Sequence, residues 1–112
     1  MKTKVYIAAP YTHGDAVLNV RKAIETADEL AIRGFTPFVP HLTHFWHLVL
    51  PHKIKFWYAL DNEWLAACDV VLRLPGESFG ANAEVQLAWA LGKRVYFGMD
   101  ELISGEIENC LT

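Results

Sequence analysis

Within seven positions, Ser78-Phe79-Gly80-Ala81-Asn82-Ala83-Glu84 collects a hydroxyl, three small residues and a carboxylate. If a helix opens there, Gly80 and Ala81 let a ligand approach the backbone, and the first helical amides and the dipole favour negative charge. Glu84 then falls in about the first turn, where the dipole keeps a carboxylate ionised. Beside a crevice, an ionised carboxylate is a nucleophile for a sugar carbon. A first-turn Glu can equally do no more than complement the dipole, and both readings stay open. Splitting a glycosidic bond needs a second group to protonate the departing base, and Asp61 is the candidate if its segment converges with Glu84; the alternative is a solvated helix carboxylate. Asp69 is read as ending the helix at Cys68. Tyr6 offers a phenol that could hydrogen-bond an active-site carboxylate, or is an ordinary core tyrosine.

These positions need a scaffold, and the chain alternates strand and helix signals. Val5–Ala9 is an apolar, β-prone run stopped by Pro10. Asp15 to Arg33 has helical spacing, with Val20, Ala23, Ile24, Ala27, Leu30 and Ala31 on one face, Asp15 as N-cap and Gly34 as stop. Phe35–Val39 is a second strand, placed at a sheet edge because Pro37 lacks a ladder donor. Pro40 to Lys53 is expected to be irregular. A helix follows over Ile54 to Cys68, with Trp57, Leu60, Trp64, Leu65 and Cys68 inward. Then come strand Val70–Leu74, loop Pro75–Gly80, helix Ala81–Leu91, strand Arg94–Phe97 and helix Asp100–Asn109. This alternation predicts one α/β domain spanning residues 1–112, a doubly wound parallel sheet of the flavodoxin or Rossmann-like kind, with order 2-1-3-4 and helices on both faces. Ligands bind such sheets beyond the strand carboxyl ends at the switch between strands 1 and 3. That rule selects the loops Pro10–Gly14, Pro40–Pro51 and Pro75–Gly80, hence Pro10, Tyr11, Thr12, His41, Ser78, Gly80 and Ala81 as ligand-facing residues.

Composition narrows the partner. With 112 residues, 53% of them hydrophobic, the chain can bury a core, and a net charge of -3 without a basic stripe argues against a nucleic-acid polymer. A small anion stays possible, with Thr12, His13 and Arg21 as phosphate contacts or as plain surface polarity. No apolar run reaches the roughly 18–20 residues of a membrane span. Met1 to Ile7 enters a strand without a signal-peptide pattern, and Cys68 and Cys110 give no disulfide framework. A cytoplasmic protein is expected. His41, His44, His47 and His52 match no zinc spacing and have no acidic residue among them, so neither a metal nor a cofactor is expected. Phe45, Trp46 and His47 suit stacking on a base or packing against another subunit.

Taken together, Tyr6 in Val5-Tyr6-Ile7-Ala8-Ala9-Pro10, Asp61 eight residues before Asp69-Val70-Val71, and Ser78-Phe79-Gly80 leading to Glu84 resemble the nucleoside 2-deoxyribosyltransferase superfamily, which includes the 2'-deoxynucleoside 5'-phosphate N-hydrolases. The likeness runs from about Lys4 to Phe97. It implies Glu84 as a nucleophile that attacks C1' and forms a covalent deoxyribosyl intermediate. It also implies Asp61 as the carboxylate assisting base departure, and Tyr6 as the phenol orienting the nucleophile. Ser78, six positions before Glu84, resembles the serine with which the N-hydrolases meet a 5'-phosphate, so hydrolysis of a nucleoside monophosphate is the leading expectation. A transferase moving deoxyribose between bases is the alternative. A non-catalytic nucleotide-binding protein, or a phage or host interaction protein using the aromatic loop, are readings from other classes. The likeness and the aromatics together imply a homodimer or larger assembly.

Overall fold

The computed structural model describes residues 2–11 and 14–111, with the side chains of 109–111 outside that description. Strands β1 (Lys4–Ala8), β2 (Thr36–Phe38), β3 (Val70–Arg73) and β4 (Arg94–Tyr96) form one parallel sheet in the order β2-β1-β3-β4. Helices α1 (Ala16–Ile32), α2 (Thr43–Val49), α3 (Ile54–Ala67), α4 (Phe79–Ala90) and α5 (Met99–Leu111) connect or follow them. The expected strand order is therefore found, and Pro37 lies on edge strand β2, opposite Val5, where its missing N–H leaves no gap inside the sheet.

β1 is central, and its alternation sorts side chains to two cores. Val5 and Ile7 join Val70, Leu72, Ala23, Leu30, Tyr96 and Leu102 beneath α1 and α5, whereas Tyr6 and Ala8 join Val71, Leu65, Cys68, Ala81 and Ala88 beneath α3 and α4. After β1 the chain leaves toward one face, and after β3 toward the other. The crevice between these departures is where a ligand fits an open α/β sheet.

Local chemistry sets the element ends. The Asp15 carboxylate accepts from Leu18 N at 3.1 Å and caps α1, and Gly34, with φ +97°, takes the left-handed position that ends it. Ala23 and Leu30 are the buried residues of α1, whereas Ile24 and Ala31, expected inward, are exposed.

Three expectations need correcting. The Pro40–Lys53 segment is not irregular: a 3-10 turn over Pro40–Leu42 runs into α2. Pro40 opens that turn, where no intrahelical N–H is required, and Pro51 comes after α2 has ended, so neither proline interrupts it. α3 does not turn all of its apolar residues inward. Leu65 and Cys68 are buried, but Trp57 lines a cavity and Trp64 is 49% exposed, with one ring face stacked on Phe38. α4 starts at Phe79, two residues before Ala81, since the Ser78 hydroxyl accepts from Ala81 N at 3.0 Å and makes Ser78 the cap. Glu84 consequently sits in the second turn, beyond the strongest part of the dipole.

Cys68 is a buried free thiol, and the Cys110 side chain lies outside the described residues. Among the described residues no helix is long and apolar enough to cross a membrane.

The first and third strand-end loops touch at Gly76. Its φ is +116°, and a Cβ added there would stand 2.8 Å from Pro10 Cγ. Gly76→Ala combines an unfavourable backbone with that clash and is expected to destabilise the fold by about 1–3 kcal/mol, read from the denaturant midpoint; an unchanged midpoint would show that the two loops are not held together there.

Candidate active site

Tyr6, Asp61 and Glu84 come from β1, α3 and α4, and the fold brings them together. Tyr6 is fully buried in the central strand and donates its phenol hydrogen to Glu84 Oε2. Its ring lies at 5.7 Å from Phe38, which in turn stacks on Trp64 at 5.0 Å, and this slab fixes the phenol's direction. Glu84 and Asp61 both line a cavity of about 620 Å³, a volume suited to a small organic ligand. Asp61 Oδ1 is buried and meets no hydrogen-bond partner among the described residues.

Burial dominates the electrostatics. It raises Glu84 to about 7, with Asp61 adding to the rise while the Tyr6 hydrogen bond and Arg73 oppose it. The expected dipole-stabilised, fully ionised Glu84 is thus not what the structure shows, because desolvation outweighs a dipole one turn away. Burial also raises Asp61 to about 6. Burial, then the charge of Glu84, pushes the Tyr6 phenol far up, so it remains a donor throughout the range where the carboxyls titrate. At mildly acidic to neutral pH the carboxyl pair holds about one proton.

The remaining expected ligand contacts divide. Tyr11, His41, Ser78, Gly80 and Ala81 line the cavity. Ser78 does so while its oxygen accepts from Ala81 N, a bond that leaves the hydroxyl hydrogen to donate. His41 is buried, which lowers its pKa and keeps it neutral, and its Nε2–H donates to Pro10 O at 2.8 Å, pinning the first loop. Pro10 packs on Gly76 and is not part of the cavity wall. Thr12 and His13 lie outside the described residues. Arg21 pairs with Glu25 at 3.2 Å on the exposed flank of α1, away from the cavity, because an i,i+4 partner is nearer than any ligand. Asp69 does not end α3: its Oδ2 accepts from Lys4 N at 2.8 Å and ties down the start of β1. The histidines are spent on the wall, with Tyr11 bonded to His44 Nδ1 and Trp57 Nε1 donating to His47 Nδ1 at 2.8 Å. Among the described residues no three His, Cys, Asp or Glu side chains gather as metal ligands.

Sequence reasoning missed Arg73 and Asn82, which hold the third loop against α4. An arginine closing the apolar run Val70-Val71-Leu72 was the available signal. It also missed Trp57, Tyr58 and Phe79 as cavity walls.

Residues 3–98 match the family model described as a domain of unknown function, DUF7768. The chain belongs to that family. A comparison with curated proteins gives no match. Among solved structures, a 2-deoxyribosyltransferase from Bacillus psychrosaccharolyticus superposes with a TM-score of 0.61 at 24% identity, over 83% of this chain and 69% of the other. A 2-deoxyribosyltransferase from Leishmania mexicana gives a TM-score of 0.63 at 19% identity, over 83% of this chain and 61% of its own length. At these identities the likeness is one of fold.

The raised Glu84 links the site to stability. A carboxyl raised in the folded state contributes stability fully present below its ordinary value and lost as pH rises through about 7. Glu84→Gln keeps an acceptor for Tyr6 and removes the buried charge. At pH 8 it is expected to be more stable than the parent by on the order of 2 kcal/mol, with a melting temperature several degrees higher; at pH 4 the advantage disappears. Equal melting shifts at both pH values would contradict this assignment.

Proposed function

We propose that the cavity binds a nucleoside and that Glu84 cleaves its N-glycosidic bond. The observation that carries this reading is the buried Tyr6–Glu84 hydrogen bond facing the same cavity as the unpartnered Asp61 oxygen. A glycosidic cleavage with a covalent intermediate asks for one ionised carboxylate and one protonated one, and a pair at about 7 and about 6 holds that single proton near neutrality. Glu84 at about 7 holds that proton ahead of Asp61 at about 6 in the free site, and the productive form is the minor arrangement that carries it on Asp61.

The Glu84 carboxylate attacks C1', the C1'–N bond breaks, and its electron pair leaves with the base as Asp61 delivers a proton to the base nitrogen. Tyr6 holds Glu84 on one oxygen, leaving the other to react. In the second half, ionised Asp61 takes a proton from the acceptor while that acceptor's lone pair forms the new bond to C1', and the ester bond to Glu84 breaks. Water as acceptor gives hydrolysis, and a second base gives transfer. The solved 2-deoxyribosyltransferases of like fold support a nucleoside as the substrate.

The charge of the walls favours a neutral nucleoside over its 5'-monophosphate. Among the described residues lining the cavity there is no Lys or Arg, while Asp61, Glu77 and Glu84 bring negative charge. On this reading the phosphate-hydrolase expectation yields to a nucleoside N-glycosidase that uses water when no acceptor base is present.

A second reading concerns assembly. Phe45, Leu48, Val49 and Leu50 are exposed along α2 and just past its end, and this apolar row supports a homo-oligomer packed over α2. Sedimentation showing only monomer at micromolar concentration would remove it.

Chromatography of free base after incubation with a panel of nucleosides and their monophosphates tests the main proposal. Release is expected from nucleosides ahead of nucleotides, lost in Glu84→Ala and slowed roughly a hundredfold or more in Asp61→Asn. The pH profile should be a narrow bell with limbs near about 6 and about 7, falling on the acid side as the carboxyl pair takes up a second proton and on the alkaline side as it loses its last one. Unchanged release in folded Glu84→Ala would sink the mechanism.

A further inference from the structure

Arg73 is the last residue of β3, only 8% exposed, and points its guanidinium into the loop before α4. One arm donates to Leu74 O; the other donates to Gly76 O at 2.8 Å and to Asn82 Oδ1 at 3.0 Å. Those acceptors span the first residue past the strand, the left-handed turn and the first turns of α4. Glu84 follows two residues after Asn82. The guanidinium therefore closes a ring of strand end, loop and helix start, with the Ser78 cap inside it.

Among the described residues no carboxylate stands within ion-pair distance of Arg73, unlike Arg21, Arg33 and Arg94, which each have a glutamate partner. A buried cation with neutral oxygen partners is costly unless a nearby anion compensates it. The carboxylate its charge acts upon is Glu84. Around Glu84 the charged and titratable groups are Tyr6 from β1, Asp61 from α3 and Arg73 from β3, of which Arg73 is the cation.

We propose that Arg73 is the positioning residue of this site, holding the α4 start so that Glu84 meets Tyr6 and placing a positive charge behind that carboxyl. The proposal deepens the N-glycosidic reading and rests on it for its kinetic consequence, but its two physical halves concern Glu84 alone. Aim is carried by the hydrogen-bonded fork, and charge by the guanidinium. A lysine retains only charge, a methionine retains neither, and loss of Asn82 cuts the tie to the helix while leaving the charge in place.

The experiment follows the side-chain carboxyl carbon of Glu84 by 13C NMR over pH in parent, Arg73→Lys, Arg73→Met and Asn82→Ala chains, with circular dichroism confirming the fold and base release measured alongside. Arg73→Met should raise the Glu84 midpoint by about one pH unit, and Arg73→Lys by much less. Asn82→Ala should leave the midpoint near that of the parent while lowering kcat about tenfold or more with KM nearly unchanged. An unmoved midpoint in folded Arg73→Met, or in Arg73→Met and Arg73→Lys alike a shift of the same size, overturns the charge half; full kcat in Asn82→Ala overturns the aim half. If Arg73→Met does not fold, the Lys and Asn82 variants still decide: a one-unit rise in Arg73→Lys counts against the charge half. A parent chain that releases no base from any nucleoside removes the N-glycosidic reading, while the titration, which needs no turnover, still decides the role of Arg73.

Discussion

The hydrogen bond between the Tyr6 phenol and Glu84 is the constraint around which the molecule is arranged. It joins the middle of the central strand, where Tyr6 is fully buried, to the helix on one face of the sheet, where Glu84 stands at the cavity wall. A fully buried tyrosine needs an acceptor. Glu84 supplies one, and in doing so a carboxyl is drawn into surroundings that disfavour its charge. The same contact stabilises the packing of α4 on β1 and favours the ionised form of Glu84, against the burial that disfavours it. Remove it, and neither a reason for a carboxyl beneath α4 nor a fixed direction for it survives.

Everything nearby acts to keep that contact in place. Parallel strands β1 and β3 end side by side, so Tyr6 and Arg73 reach the same region from neighbouring strands. His41 pins the first loop through Pro10 O, and Pro10 rests on Gly76 in the third loop. Ser78 and Arg73 then fix where α4 begins. Each contact is modest alone, at about 1 kcal/mol for a hydrogen bond. Together they remove the freedom of a helix start, and a carboxylate is useful to chemistry only when its position is settled beforehand.

Much of this was legible in the residues. Short β-prone runs broken by Pro10 and Gly34, with helical spacing between, were enough for the sheet order, and Pro37 placed β2 at the edge. The juxtaposition of Tyr6, Asp61 and Glu84 was legible only through a family resemblance, since no local rule says that α3 and α4 converge. Local rules also failed where two effects competed. Pro40 and Pro51 read as helix breakers although one opens a turn and the other follows a helix. Ser78 read as a ligand contact, and its oxygen also caps α4 through Ala81 N, a second role that the ligand reading left out. Trp57 read as core because hydrophobic periodicity cannot tell a core from a cavity wall, and Trp64 because it cannot tell a core from a half-exposed stack such as the one on Phe38. Arg73 escaped because a buried cation is visible only once its oxygen partners are assembled from three separate stretches of chain.

The wall chemistry completes the logic of the carboxyl pair. Its histidines are engaged with neighbours: His41 with Pro10 O, His44 with Tyr11, His47 with Trp57 and the His52 amide. A histidine held neutral, as burial holds His41, adds shape and polarity without adding charge. The cavity can thus offer aromatic faces and fixed polar edges to a planar ring while leaving the proton of Asp61 and Glu84 with no competing acid of similar strength bonded to either. Arg73 stays behind the loop, where its charge reaches Glu84 but its N–H groups are already occupied by Leu74, Gly76 and Asn82. A cation placed in the cavity itself would pair with both carboxylates and hold them ionised, and the single shared proton on which a glycosidic cleavage depends would be lost. A cation behind the wall and none among the described residues along it are therefore two parts of one requirement of the proposed cleavage, that Glu84 ionise while Asp61 keeps its hydrogen.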